Sequence, residues 1–119
     1  MRDHTKLRVF HMADALVMDV YAASRRFPSD ERFGLTSQIR RCGASIAANI
    51  VEGCARATEQ EYLRFIEIAY GSARELQYEL DLCARLGYLD QTTAAQLGQQ
   101  CTDTAKSLNA LLRSLRRGR

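Results

Sequence analysis

Four cysteines, at positions 42, 54, 83 and 101, have the widest chemical range of any side chains in this chain of 119 residues. A thiolate attacks or binds metal only where a base, or a positive and partly exposed setting, stabilises it. None of the four forms a CxxC pair, and no histidine stands near them at zinc spacing. Cys42, Cys54, Cys83 and Cys101 all fall at apolar-periodic positions, which suits free thiols buried as small hydrophobes. A di-metal carboxylate bundle would need Glu-x-x-His pairs facing inward, and no glutamate here has a histidine three residues later. His4 and His11 lie close to the N-terminus and read as satisfied or solvated side chains. Glu67, Glu75 and Glu79 share a helix with Arg64, Arg74 and Arg85, so solvated ion pairs are the default for them. The expectation is a protein with no catalytic residue, metal or cofactor, and so not an enzyme.

Arginine is the more promising chemistry. Arg25, Arg26, Arg40, Arg41 and Arg56 cluster around one helical segment, and Arg113, Arg116, Arg117 and Arg119 end the chain. Guanidinium groups suit phosphate recognition, and phosphate contacts need no base-reading motif. The competing reading is that several of them are solubilising charges at helix C-termini. No RNA-binding module signature or aromatic platform accompanies them. The net charge of +3 is unevenly spread: residues 1–58 carry a net +3, residues 59–90 a net −4 and residues 91–119 a net +4. That segregation allows basic and acidic surfaces on one molecule, useful for self-assembly or for an anionic partner.

The elements that would position these groups are helical. A composition of 46% hydrophobic and 26% charged residues is an ordinary globular balance. No apolar run approaches the ~18 residues that cross a membrane, and the N-terminus lacks a signal-peptide core, so the expected location is the cytoplasm. One proline and seven glycines leave long stretches free to stay helical. Four helices are expected, over about residues 5–26, 36–55, 58–86 and 90–116, in one domain spanning 1–119. In the first, Val9, Ala13, Leu16, Val20, Ala23 and Phe27 form the seam, and Pro28 ends it. Thr36 is a plausible N-cap for the second, and Thr58 with Glu61 fits a capping box for the third. The third seam is Tyr62, Ile66, Ala69, Ala73, Leu76, Leu80 and Cys83, with Gly87 as a natural stop. The fourth is Ala94, Leu97, Cys101, Thr104, Leu108, Leu111 and Leu115. A sustained 3.5-residue repeat makes helices cross at about 20°. With short connections, that predicts an all-α, antiparallel, up-down-up-down four-helix bundle.

The second helix does not fit an ordinary surface position. Ile39, Cys42, Gly43, Ile46, Ile50, Gly53 and Cys54 lie within about 60° of one line along it, at 100° per residue. Ala44, Ala47, Ala48, Val51 and Ala55 form a second, small-residue arc, broken by Arg40. These are the candidate oligomer interface; the alternative is exposed alanine with good helix propensity. Ser45, Asn49 and Glu52 sit in the narrow polar wedge that remains, with Gln38, Arg41 and Arg56. The pairs Arg41/Ser45, Ser45/Asn49 and Glu52/Arg56 are four residues apart and meet on a helix surface. Asn49 borders the seam, and a buried amide needs partners, so a bond to a neighbouring helix or subunit is expected. The three read as structural hydrogen-bonding groups rather than an active site.

The pieces "FPSDERFGLTSQIRRCGASIAANIVEG" and "EYLRFIEIAYGSARELQYELDLCARLGYL" resemble the four-helix-bundle proteins encoded within 23S rRNA intervening sequences, over roughly residues 5–116. Its most specific elements are FP-x-x-E-x-F-G-L-x-x-Q-I-R, S-I-x-x-N-I-x-E-G and A-x-G-S-x-x-E-L. The resemblance implies a ring-like homopentamer. It is similar to the accessory proteins of diversity-generating retroelements, which are basic pentameric bundles that bind nucleic acid and a reverse transcriptase. No enzymatic activity is implied. Ala47 stands where the family usually has proline, so no kink is enforced there. Two functions remain open: RNA or DNA binding, including accessory assembly with a nucleic-acid enzyme, and a protein-interaction scaffold without nucleic acid.

Overall fold

Where the apolar spacing predicts helices, helices form, and particular side chains set their ends. The computed structural model describes residues 1–118; Arg119, the last of the tail arginines, lies outside the described residues. The helices are α1 (Arg8–Ser24), α2 (Leu35–Cys54), α3 (Glu59–Arg85) and α4 (Gln91–Arg117), with 3-10 turns over His4–Lys6 and Ser29–Glu31. No strand is present among the described residues.

α1 starts later than expected. Asp3 Oδ1 accepts from the Thr5 N–H at 3.0 Å and from the Thr5 hydroxyl at 2.6 Å. This closes a separate turn before the helix, a local competition typical of short polar side chains. α2 also departs from expectation, because Thr36 is not its N-cap. The connector after Pro28 folds back through the Ser29–Glu31 turn, and Glu31 Oε1 accepts the Leu35 N–H at 3.1 Å. Thr36 is instead buried within the first turn. α3 begins as predicted: Thr58 Oγ1 accepts from the Glu61 N–H at 3.1 Å. It ends in a left-handed Gly87 (φ 80°), with Gly87 N–H bonded to Ala84 O and Tyr88 N–H to Cys83 O. That double closure is a Schellman stop. Asp90 Oδ1 then caps α4 through the Thr93 N–H at 2.7 Å.

One apolar core draws on all four helices. The seams of α2 and α3 are buried as predicted. In α1, Ser24 is buried in preference to Ala23, and in α4, Ala105 and Leu112 replace Leu111 and Leu115 at the deepest positions. A straight helix turns 3.6 residues per turn and drifts off a strict 3.5-residue seam by about 20° per heptad. α1 packs on α2 and α4, and α3 packs on the same two. Polar cross-ties fix the heights: Arg40 to Ser24, Ser45 to Ser72, Gln77 to Thr102 and Gln100 to Asp19. The chain measures 45 × 22 × 19 Å, and no described helix is long and apolar enough to cross a membrane.

Candidate functional site

The polar wedge of α2 is a seam of hydrogen bonds along α3. Asn49 Nδ2 donates to the Ser45 carbonyl (2.8 Å) and to Ser45 Oγ (3.0 Å). Ser45 Oγ in turn lies 3.0 Å from Ser72 Oγ on α3. Asn49 therefore bonds within its own helix, not to a neighbour as expected; Ser45 makes the crossing. The reason is reach: an amide four residues after Ser45 meets that serine's carbonyl and hydroxyl before it reaches α3. Glu52 pairs with Arg56 at 2.8 Å, as the four-residue spacing predicts. Arg41 turns the other way and donates to Ser37 Oγ at 3.0 Å, not to Ser45.

Beside this seam, Gln38, Arg41, Cys42, Ser45, Ser72, Glu75 and Glu79 line a groove of about 330 Å³. Cys42 donates its thiol proton to Ser72 O (3.1 Å) and Glu75 Oε2 (3.3 Å). Burial, then the Glu75 hydrogen bond, pushes that thiol far above its ordinary range. Burial, and then the nearby Glu75 charge, raises the Glu79 carboxyl as well. A thiol held protonated beside two carboxylates is a hydrogen-bond donor, the opposite of an activated nucleophile. Cys54, Cys83 and Cys101 are likewise free and buried, and burial pushes Cys101 up to about 12. Among the described residues no three His, Cys, Asp or Glu side chains are grouped to hold a metal.

The small-residue arc divides by height above the core. Ala47 is half-buried and packs against it, Ala44 is half-buried, and Ala48, Val51 and Ala55 are exposed. Arg40, the large intruder on this arc, leaves it by turning toward α1. Its Nε donates to Ser24 Oγ at 2.7 Å, and its guanidinium sits 4.8 Å over the Tyr21 ring. Val51 is thus exposed beside Ala48 and Ala55 on the outer side of α2, while Tyr21 on α1 lies under the Arg40 guanidinium.

The candidate arginines do not form one patch. Arg25 and Arg26 follow the C-terminal end of α1, whereas Arg56 lies just past the far end of α2, which is about 21 Å from Arg40 at 1.5 Å per residue. Arg56 shares the opposite end of the molecule with Arg113, Arg116 and Arg117. Two ties define that end: Arg2 N–H bonds Cys54 O at 2.8 Å, and Arg116 pairs with Glu67 on α3 at 2.8 Å. Arg2 belongs to this end too, pairing with Glu59 and lying 3.8 Å over the Tyr62 ring. Sequence spacing offered no signal for it, because the chain reaches that place only through its N-terminal turn. The same-helix ion pairs expected of Glu67, Glu75 and Glu79 do not form. Glu67 takes Arg116, Arg85 takes Asp81 (2.9 Å), and Arg74 donates to Tyr70 Oη (3.0 Å). Arg25, Arg26, Arg113 and Arg117 bond no carboxylate among the described residues.

The sequence matches the family model described as 23S rRNA-intervening sequence protein over residues 5–110. No curated protein matches. Among solved structures, the chain resembles a protein of unknown function from the S23 ribosomal protein family of Bacteroides thetaiotaomicron VPI-5482. The TM-score is 0.81 at 23% identity, over 87% of this chain and 97% of that one. At that identity the likeness shows the fold alone.

Proposed function

The chain belongs to the 23S rRNA-intervening sequence protein family, and on that premise we propose that it is a non-enzymatic, cytoplasmic, homo-oligomeric bundle protein that binds RNA or DNA. In this reading it acts directly, or as an accessory assembly factor for a nucleic-acid enzyme. The bundle is up-down-up-down and antiparallel. Supporting this, pairings along α2 and α3 run in opposite senses, Cys42 with Glu75 and Ser45 with Ser72, and along α3 and α4, Glu67 with Arg116 and Gln77 with Thr102. The bundle assembles as a ring, pentameric on the family resemblance, with the exposed part of the α2 arc at the contact.

The observation that carries nucleic-acid binding is the state of the arginines. Arg40, Arg41, Arg56 and Arg116 are engaged with Ser24, Ser37, Glu52 and Glu67. Arg25, Arg26, Arg113 and Arg117 remain without a bonded carboxylate among the described residues, at the two ends of the molecule. A ring multiplies each such pair into a circle of cations, and repeated weak contacts add up to avidity. Binding of a structured RNA should weaken steeply as salt rises, since each phosphate contact releases counterions. The second reading, a scaffold without nucleic acid, is favoured by the exposed apolar side chains of α3. Absence of RNA and DNA binding at about 50 mM salt, where phosphate contacts are strong, would select it.

A further inference from the structure

α3 has a groove on each side, and the two differ in charge. The groove toward α2 carries Glu75 and Glu79. The groove toward α4, of about 230 Å³, is lined by Tyr70, Arg74, Gln77, Thr102, Lys106 and Asn109, and no carboxylate lines it. Arg74 and Lys106 are exposed, and neither pairs with a carboxylate among the described residues. The other acidic side chains close to them along α3 and α4 are engaged. Glu67 pairs with Arg116, Asp81 pairs with Arg85, and Asp103 accepts from Gln99 at 2.9 Å.

Hydrogen bonding gives this groove a direction. Arg74 Nη1 donates to Tyr70 Oη at 3.0 Å, and Gln77 Nε2 donates to Thr102 Oγ1 at 2.9 Å. Each hydroxyl oxygen therefore accepts from its neighbour. Each hydroxyl also has one proton to give, and neither proton has an acceptor among the described residues. The Arg74 guanidinium keeps four of its five N–H donors beyond the one on Tyr70, and the Lys106 ammonium adds three. The groove thus gathers donors, two groups of them cationic, against only the amide carbonyls of Gln77 and Asn109.

We propose that this groove is a binding site for a phosphate group. Phosphate oxygens take hydrogen bonds from exactly this set, and bonds between charged donors and such oxygens are shorter and stronger than neutral ones. The planar guanidinium fork matches phosphate geometry. Tyr70 already holds that fork in place, which lowers the ordering cost of binding.

The identity of the phosphate rests on the nucleic-acid reading above, which makes it part of an RNA or DNA backbone. Lys106, Arg113 and Arg117 fall within about 40° of one another around α4, at 100° per residue, and span about 17 Å along it. The groove is then the inner end of a line of cations that runs to Arg113 and Arg117. A free phosphate ion offers the same oxygens, so the test separates the two sources.

The test is an NMR titration of isotope-labelled protein with sodium phosphate, against sodium chloride of equal ionic strength, and with a short oligouridylate at about 50 mM salt, where phosphate contacts are strong. Both probes should shift the amide signals around Tyr70, Arg74, Thr102 and Lys106. Arg74→Gln/Lys106→Gln, exposed positions that should keep wild-type circular dichroism, should abolish those shifts. Arg25→Gln/Arg26→Gln removes the same charge elsewhere and should leave them in place. Thr102→Val should weaken binding about tenfold, the worth of a hydrogen bond to a charged group, and Thr102→Ser should restore it. Shifts that persist in Arg74→Gln/Lys106→Gln overturn the site, as does equal loss in Arg25→Gln/Arg26→Gln. An oligouridylate that binds but leaves the groove signals unmoved overturns the site and leaves the nucleic-acid reading standing. Phosphate bound in the groove without any oligouridylate binding keeps the site and overturns that reading.

Discussion

Tyr88 donates its hydroxyl to Glu31 Oε2 at 2.7 Å, across 57 residues of chain. Because Glu31 Oε1 also takes the Leu35 N–H, one carboxylate joins the α3–α4 turn to the start of α2. The Tyr88 ring lies 5.4 Å from that of Phe27, completing a tie between the two connectors. The Tyr88 bond, then the Leu35 N–H, holds the Glu31 carboxyl below its ordinary value of 4.5. The same bond raises the Tyr88 hydroxyl above 10.0.

A lowered carboxyl stabilises the fold fully above its unfolded value, and this is lost as pH falls through the folded one. A raised phenol works in reverse, losing its contribution as pH rises through its folded value. The bond thus stabilises in the window between. Tyr88→Phe should unfold at lower urea than wild type at pH 7, and the gap should close as pH falls below 4.5. A gap unchanged at about pH 3 would show that the loss does not come from the bond to the Glu31 carboxylate, since hydrogen bonds to a carboxylate weaken once it is protonated.

Burial pushes Cys83 up to about 11 and Cys101 up to about 12. At pH 8 almost none of either is thiolate, the form that reacts. Native protein should therefore resist an aromatic disulfide reagent that unfolded protein consumes at once with all four cysteines. Rapid labelling of folded protein at Cys42 would contradict the protonated, carboxylate-facing thiol described for it.

Two glycines on helices should respond to alanine with opposite signs. A Cβ on Gly53 would come within 2.9 Å of Phe65 Cβ and 3.4 Å of Tyr62 Cδ1. Gly53→Ala should destabilise by roughly 1–3 kcal/mol, the range of overpacked cores. Around Gly98 no atom lies within 4 Å of such a Cβ, so Gly98→Ala should stabilise by about 0.5–1 kcal/mol through helix propensity. Urea midpoints of the two variants decide both.

Replacing Arg113 and Arg117 by Gln, and separately Arg25 and Arg26, asks which end of the molecule meets phosphate. Every arginine–phosphate pair removed should flatten the salt dependence of binding by about 0.7–0.9 in log–log slope. Arg40→Gln should leave that slope unchanged and instead lower stability by about 1 kcal/mol, the worth of a hydrogen bond such as the one it makes to Ser24. A slope altered by Arg40→Gln alone would return Arg40 to the binding surface.

Much of the candidate site was legible before folding. The Glu52–Arg56 pair, the buried cysteines and the Thr58 cap are local, and local geometry follows from spacing along a helix. The exposed Ile68 and Tyr78 of α3 were equally present in the sequence, yet the deeper seam of the same helix masks them. Spacing tells which residues share a face, and burial tells how much of that face the monomer covers.

By itself the sequence determined the four helices, the seams of α2 and α3 and the Gly87 stop, because each depends on residues within a turn or two of one another. Only the tertiary structure decided that Glu31 would cap α2, that Ser45 rather than Asn49 would cross to α3, and that Glu67 would choose Arg116. It alone set Arg56 at the end that holds Arg2 and Arg113. These are relations between residues far apart in the chain. The path of the connectors and the relative height of packed helices set them, and apolar periodicity carries no record of either.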